Sequence, residues 1–228
     1  MDSILWREES DRYTQRALKA ANGDVDRLFA HHRDLARQGR EVMDALGFTP
    51  TRVLDLGCGY GGGVQAFAEQ YPDAEFEGVD PGAESIATAR RLVSHQRARF
   101  TVGFGHDLPQ ADESFDLVLL VMVLQWVPRA YLARTIAQAE RVLRVGGMIL
   151  LWDFAPFQMV MSQSRHNDQV YIFKNDYKEM FTALPWLRLV HHYVKRMEMG
   201  PGYQFSSSFI KKCPIEQIYA LTPGPTEN

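Results

Sequence analysis

The chain has 228 residues, 46% of them hydrophobic, enough to bury one sizeable core within the size range of a single domain. Its 25 basic and 28 acidic residues leave a net charge of −3, without the like-charged runs that track a phosphate backbone or an anionic membrane, so neither nucleic acid nor a membrane is an expected partner. Only Cys58 and Cys213 are present, too few and too far apart for a disulfide framework or a CxxC metal or redox pair. The first residues lack a basic and apolar leader, and no apolar run reaches the ~20 residues of a membrane span, so a soluble cytoplasmic protein is expected.

A weak helical pattern runs from Ile4 to Ala20 and stops at Asn22-Gly23. A stronger one follows, with Val25, Leu28, Phe29, Leu35, Ala36, Val42, Met43 and Leu46 at three-and-four spacing before Gly47. From there the period alternates. Strands are predicted at Arg52–Leu56, Glu75–Val79, Arg99–Val102, Phe115–Val123 and Met148–Trp152, and helices at Val64–Gln70, Glu84–His95 and Tyr131–Leu143. Strands separated by single helices imply right-handed crossovers and a parallel sheet covered on both faces. Ala155–Gln163 shows no clear period, and Asp168–Leu184 reads as a helix rich in aromatics. Leu187–Met197 and Tyr203–Lys211 flank Gly200-Pro201-Gly202, which predicts an antiparallel hairpin on the sheet edge. The expected organisation is a helical lead-in or lid over 1–50, an α/β domain over 51–213 and a tail over 214–228.

The strongest motif is Val53-Leu54-Asp55-Leu56-Gly57-Cys58-Gly59-Tyr60-Gly61, a strand entering a glycine loop ahead of a helix. Glycines let the backbone turn tightly and approach a ligand, and the helix N-terminus offers unpaired N–H groups. Gly57, Gly59 and Gly62 also satisfy the dinucleotide spacing G-x-G-x-x-G, so the glycines alone leave a nicotinamide oxidoreductase open. Asp80 closes Phe76-Glu77-Gly78-Val79-Asp80, where a carboxylate can accept hydrogen bonds from two ribose hydroxyls.

Together with Asp107-Leu108-Pro109, Asp112 to Val118 and Leu143 to Met148, these segments resemble the class I S-adenosylmethionine-dependent methyltransferase family over roughly residues 51 to 153. The resemblance implies a Rossmann-like α/β fold with S-adenosyl-L-methionine as cofactor and a small molecule as substrate. It implies that the Gly57–Gly61 loop packs along the methionine part, that Asp80 holds the ribose, and that residues near Asp107 border the adenine. The cofactor-binding set so implied is Asp55, Gly57, Cys58, Gly59, Gly61, Asp80, Pro81, Asp107, Leu108, Val121 and Gln125. Where many relatives carry Gly-Asp after the third strand this chain has Gly103-Phe104, and Asp107 is the expected substitute for the missing acid. Asp55 either contacts the cofactor or only bonds to loop N–H groups.

Methyl transfer from a sulfonium needs alignment and exclusion of water, and a hydroxyl acceptor needs a base, for which His32 and His166 are the candidates beside His31. The segments Met1–Leu46 and Ala155–Leu184 are expected to form the acceptor lid, with Trp6, Tyr13, Phe29, Phe157 and Tyr171 lining an apolar or aromatic pocket beside Trp126. O-methylation of a small metabolite is the leading expectation, with C-methylation of an electron-rich carbon as the alternative. A non-catalytic cofactor-binding module is a further one. No histidine and acid spacing indicates a metal site, and oligomeric state is left open.

Overall fold

The computed structural model describes residues 3–156, 158–164, 169–196 and 204–214. Two helices come first, α1 (Ser3–Ala21) and α2 (Val25–Ala45). Asn22 and Gly23 turn the chain between them in left-handed conformations, and Asp24 caps α2 by accepting from the Arg27 N–H at 3.0 Å.

The alternating segment then builds β1 (Arg52–Leu56), α3 (Gly62–Gln70), β2 (Glu75–Asp80), α4 (Ala83–Leu92), β3 (Ala98–Val102), β4 (Phe115–Val121), α5 (Arg129–Val142) and β5 (Leu143–Phe154). These five strands are parallel, and with β8 (Leu187–Arg196) and β9 (Gln204–Lys212) they form one seven-stranded sheet ordered β3-β2-β1-β4-β5-β9-β8. The last two strands run antiparallel on the edge, as the turn chemistry between them predicts. The fold is the Rossmann-like one expected, with two helices ahead of the sheet.

Successive strand residues point to opposite faces, and both faces are buried because helices cover each. Val53, Phe76, Leu117 and Leu150 pack with Ala36 and Met43 of α2 and Phe67 of α3 on one side. Leu54, Val79, Val118 and Leu151 pack with Leu132 and Ile136 of α5 on the other. α2 is therefore part of the sheet's cover and not only a lid.

The chain departs from the sequence reading between β5 and β8. The helix expected over Asp168–Leu184 is replaced by β7 (Tyr171–Lys174), paired with β6 (Val160–Gln163), and by a short α6 (Lys178–Thr182). Tyr171-Ile172-Phe173 carries aromatic and β-branched side chains that favour a pleated surface, and Asn175-Asp176 breaks it. Helix survives only where Tyr177 and Phe181, four residues apart, are both buried against the sheet. β5 also begins earlier than expected. Gly146, at φ +83°, lets the strand bend where its register with β4 shifts. Among the described residues no helix is long and apolar enough to cross a membrane.

Candidate active site

The strand order reverses between β1 and β4, and a parallel sheet opens its crevice at the carboxyl ends of such a pair. There β1 ends at Leu56 and the chain turns through Gly57, Gly59 and Gly61, with φ of +81°, +52° and +85°. At Gly57 a side chain is excluded twice, by the positive φ and because a Cβ would lie 2.5 Å from the Val123 side chain. Met122, at the end of β4, is a non-glycine residue held at φ +58°, the kind of strained backbone that collects at functional sites.

Asp80 ends β2 and is 4% exposed. Its Oδ2 accepts the Gly59 N–H at 2.9 Å, and its Oδ1 accepts the Gly82 N–H at 2.8 Å and the Ser10 hydroxyl from α1. Burial raises its pKa above the ordinary value, while those three hydrogen bonds favour the charged form and oppose the rise. The carboxylate thus joins the glycine loop, the β2–α4 turn and α1.

These elements enclose a cavity of about 190 Å³. Gly57, Cys58, Gly59, Tyr60, Asp80 and Pro81 form its floor, and Phe104, His106, Val121, Met122, Trp126 and Tyr131 one side. Trp6, Glu9, Ser10 and Tyr13 of α1 and His32 of α2 form the other. Tyr13 stacks on Tyr60 with ring centroids 6.2 Å apart, and His106 stacks on Tyr131 at 4.2 Å. A wider hollow of about 460 Å³ near Gln65 and His95 lies at the amino ends of the strands, away from the switch point.

Three buried polar atoms on side chains of the cavity wall, Trp6 Nε1, Glu9 Oε2 and His32 Nδ1, have no hydrogen-bond partner. Buried polar atoms are nearly always paired, so open ones gathered on one wall are unusual. His32 lies edge-on to Tyr60 at 5.6 Å, and burial lowers its pKa to about 4, with His31 adding to the fall. The imidazole is therefore neutral at pH 7, with one ring nitrogen able to accept a hydrogen bond.

Residues 53–147 match a family described as a methyltransferase domain. This stretch, less than half of the chain, is similar to methyltransferase domains. The domain is 37% identical over 105 residues to a fatty-acid O-methyltransferase of Mycolicibacterium smegmatis, covering 46% of this chain and 38% of that one. It is 29% identical over 146 residues to a malonyl-(acyl-carrier protein) O-methyltransferase of Halorhodospira halophila, covering 64% of this chain and 49% of that one. The chain thus spans half or less of the length of these relatives. Magnesium protoporphyrin IX methyltransferase of Synechocystis, solved with S-adenosylhomocysteine bound, superposes with a TM-score of 0.67 at 15% identity, over 92% of this chain and 100% of that one, and so shares the fold.

In the methyltransferase domain, the residues expected at the cofactor separate into two groups. Gly57, Cys58, Gly59, Asp80, Pro81 and Val121 line the cavity. Asp55, Gly61, Asp107, Leu108 and Gln125 do not. Asp55 is buried behind the loop, accepts the Val64 N–H at the start of α3, and is pushed up to about 7 by burial with Asp80 adding to it. Gly61 caps α3 where any Cβ would strike Val93 at 2.6 Å. Gln125 and Leu108 are packed into the interior. Asp107, expected beside the adenine, does not line the cavity: its side chain is 77% exposed and pairs with Arg134 at 3.3 Å, and Phe104 and His106 occupy the wall.

Of the residues expected to line the acceptor pocket, Trp6, Tyr13 and Trp126 line this cavity. Phe29 does not; it is 1% exposed, in a small core with Leu28, Ala21 and Tyr60. Tyr171 is exposed on the β6–β7 hairpin, and none of the described residues of 155–184 reaches the cavity. Phe157 and His166 lie outside the described residues. Sequence reasoning missed Glu9, Ser10, Tyr60, His106, Met122 and Tyr131. The only signal for the first two was their spacing of three and four from Trp6 and Tyr13 on one helical face.

Proposed function

We propose that this chain is a cytoplasmic enzyme that moves a methyl group from S-adenosylmethionine to an oxygen of a small molecule. The observation that carries the reading is the buried, neutral His32 imidazole in the lining of a cavity whose floor is the glycine loop and Asp80. The residues fit the cofactor. The loop at Gly57 and Gly59 keeps side chains off its face, Asp80 can accept from ribose hydroxyls, and the faces of Phe104 and His106 suit an adenine ring. Bound there, the cofactor would supply an activated methyl group on a sulfonium.

The neutral His32 imidazole accepts the hydrogen bond of the incoming hydroxyl and so orients its lone pair. An oxygen that has gained a methyl group before losing its proton is a very strong acid, so an imidazole with a pKa of about 4 takes that proton downhill. Trp6, Tyr13 and Trp126 exclude water and hold the acceptor in line. Both curated relatives named above are O-methyltransferases, which supports oxygen as the accepting atom.

The test is calorimetric binding of S-adenosylhomocysteine, followed by label transfer from methyl-labelled cofactor to a panel of hydroxylated and acidic small molecules. Failure of the folded chain to bind S-adenosylhomocysteine refutes the reading. His32→Gln is expected to keep that binding and to lose most of the transfer rate.

A further inference from the structure

We propose that Glu9 makes the acceptor pocket select an uncharged hydroxyl and reject a carboxylate, an inference that rests on the methyltransferase reading of the same cavity. Among the described residues the charged side chains lining the cavity are Glu9 and Asp80; arginines stand only behind the lining, Arg16 on Glu9 at 3.5 Å and Arg7 over the Phe104 ring at 5.3 Å. Both oxygens of Asp80 are engaged by Gly59, Gly82 and Ser10, on the side of the glycine loop.

Glu9 is different. Its side chain is 4% exposed, and Oε1 takes the Ser164 hydroxyl at 3.4 Å and Arg16 at 3.5 Å, while Oε2 is buried with no partner. A buried carboxylate oxygen left open favours a hydrogen-bond donor strongly and repels another anion. Three residues earlier, on the same face of α1, Trp6 presents an indole N–H that is also buried and unpaired. The wall thus offers one acceptor and one donor, which suits a molecule carrying an O–H and a second, neutral oxygen or nitrogen acceptor.

A carboxylate substrate is ionised at neutral pH and brings no donor. It would face Glu9, whose Oε1 alone is paired, with Arg16 at 3.5 Å, and His32 is held neutral. A fatty acid, named for one relative, is such a substrate, so the preference of this chain departs from that name. In the transfer the O–CH3 bond forms as the C–S bond breaks. The bonding pair leaves with sulfur, and the hydroxyl proton passes to the His32 imidazole and then to solvent, giving a methyl ether, S-adenosylhomocysteine and a proton.

The experiment uses the full chain with matched acceptors of one skeleton, an aryl alcohol or phenol against the aryl carboxylate, and a fatty alcohol against the fatty acid. Methyl ether and methyl ester are measured by mass spectrometry, and binding of each probe to the chain loaded with S-adenosylhomocysteine is measured by calorimetry. The hydroxyl member of a pair is expected to win by about 100-fold in kcat/KM or in affinity, the scale set by like charges facing each other in a buried site. Glu9→Gln, checked for folding by its melting curve, is expected to shrink that ratio by about 10-fold by raising use of the carboxylate. Preference for the carboxylate in the unmodified chain, an unchanged ratio in Glu9→Gln, or binding of neither class overturns the inference. Absence of S-adenosylhomocysteine binding overturns the methyltransferase reading beneath it, so the two failures are distinguishable.

Discussion

The hydroxyl of Ser10 donates to Oδ1 of Asp80, joining α1 to the end of β2 across 70 residues of chain. The group proposed to hold the cofactor ribose is therefore also a latch for the helix over the acceptor. Asp80→Ala is expected to weaken S-adenosylhomocysteine binding by ~1.5–3 kcal/mol, the range for lost hydrogen bonds to a charged group, and to lower the melting temperature as the Gly59 and Gly82 N–H groups lose their acceptor. Ser10→Ala removes one donor only, and its cost should stay near ~1 kcal/mol. Calorimetry on the folded variants checks both, and an unchanged affinity in Asp80→Ala would take Asp80 out of the cofactor site.

The second prediction follows from His32. Its folded pKa, about 4, lies below the ordinary 6.5, so the unfolded chain binds the proton first as pH falls. Its contribution to stability is complete above pH 6.5 and is lost as pH drops towards 4. Asp55 and Asp153, both pushed up to about 7 by burial, act in the opposite sense, contributing below pH 3.8 and losing that contribution as pH rises through 7. The informative quantity is thus the stability gap between the unmodified chain and His32→Gln. Denaturant titrations across this range should show the gap moving by ~2–3 kcal/mol against the unmodified chain on acidification. A gap that does not change with pH means that His32 is not buried in neutral form.

The glycine loop and Asp80 were legible in the sequence because a strand, a glycine turn and a carboxylate at the next strand's end are local patterns with one geometric outcome. The side of a loop was not. Nothing in Gly103-Phe104-Gly105-His106-Asp107 says which side chains turn inward, and a solvated ion pair with Arg134 competes successfully for Asp107. The apolar stripe of α2 gave most of its buried face, yet periodicity does not distinguish a face covering a core from one covering a cavity, so Phe29, expected at the pocket, lies in a small core while His32 lines the cavity. The docking of α1 was invisible for another reason. It depends on polar pairs such as Thr14 with Ser85, 71 residues apart, which leave no period in the chain.

The placement of Phe104 and His106 on the cavity wall yields a third prediction. Asp107→Ala should leave S-adenosylhomocysteine affinity within about twofold, as expected of an exposed pair. Phe104→Ala and His106→Ala should each weaken it by ~1–2 kcal/mol, the scale of a base stacked on an aromatic side chain. His106 is suited to that role because burial lowers its pKa, which keeps the ring uncharged, and because Tyr131 backs it at 4.2 Å. If Asp107→Ala proves the weakest binder of the three, the loop rearranges around the cofactor and the carboxylate turns in.

The last prediction separates α1 from α2. α2 supplies Ala36 and Met43 to the core beneath the sheet and cannot be removed without exposing Phe67. α1 instead holds on through polar contacts, Ser10 to Asp80, the Ser85 N–H to Asp11 at 2.9 Å, Thr14 with Ser85 at 2.7 Å and Gln15 to Glu84 at 2.6 Å. Its apolar share is Ala17, Leu18 and Ala21 on the small cluster around Phe29 and Tyr60. The left-handed pair Asn22-Gly23 marks a turn at which the chain can be cut without breaking a helix. Removing residues through Asn22 is therefore expected to leave a folded sheet with a lowered melting temperature. It should keep weakened but measurable S-adenosylhomocysteine binding and abolish methyl transfer, since Trp6, Glu9 and Tyr13 leave the cavity with the helix. Circular dichroism and a melting curve distinguish this from simple unfolding. A folded truncation that transfers methyl groups at the full rate would show that α1 is scaffold, and would move the acceptor to the side of the cavity formed by Met122, Trp126 and Tyr131.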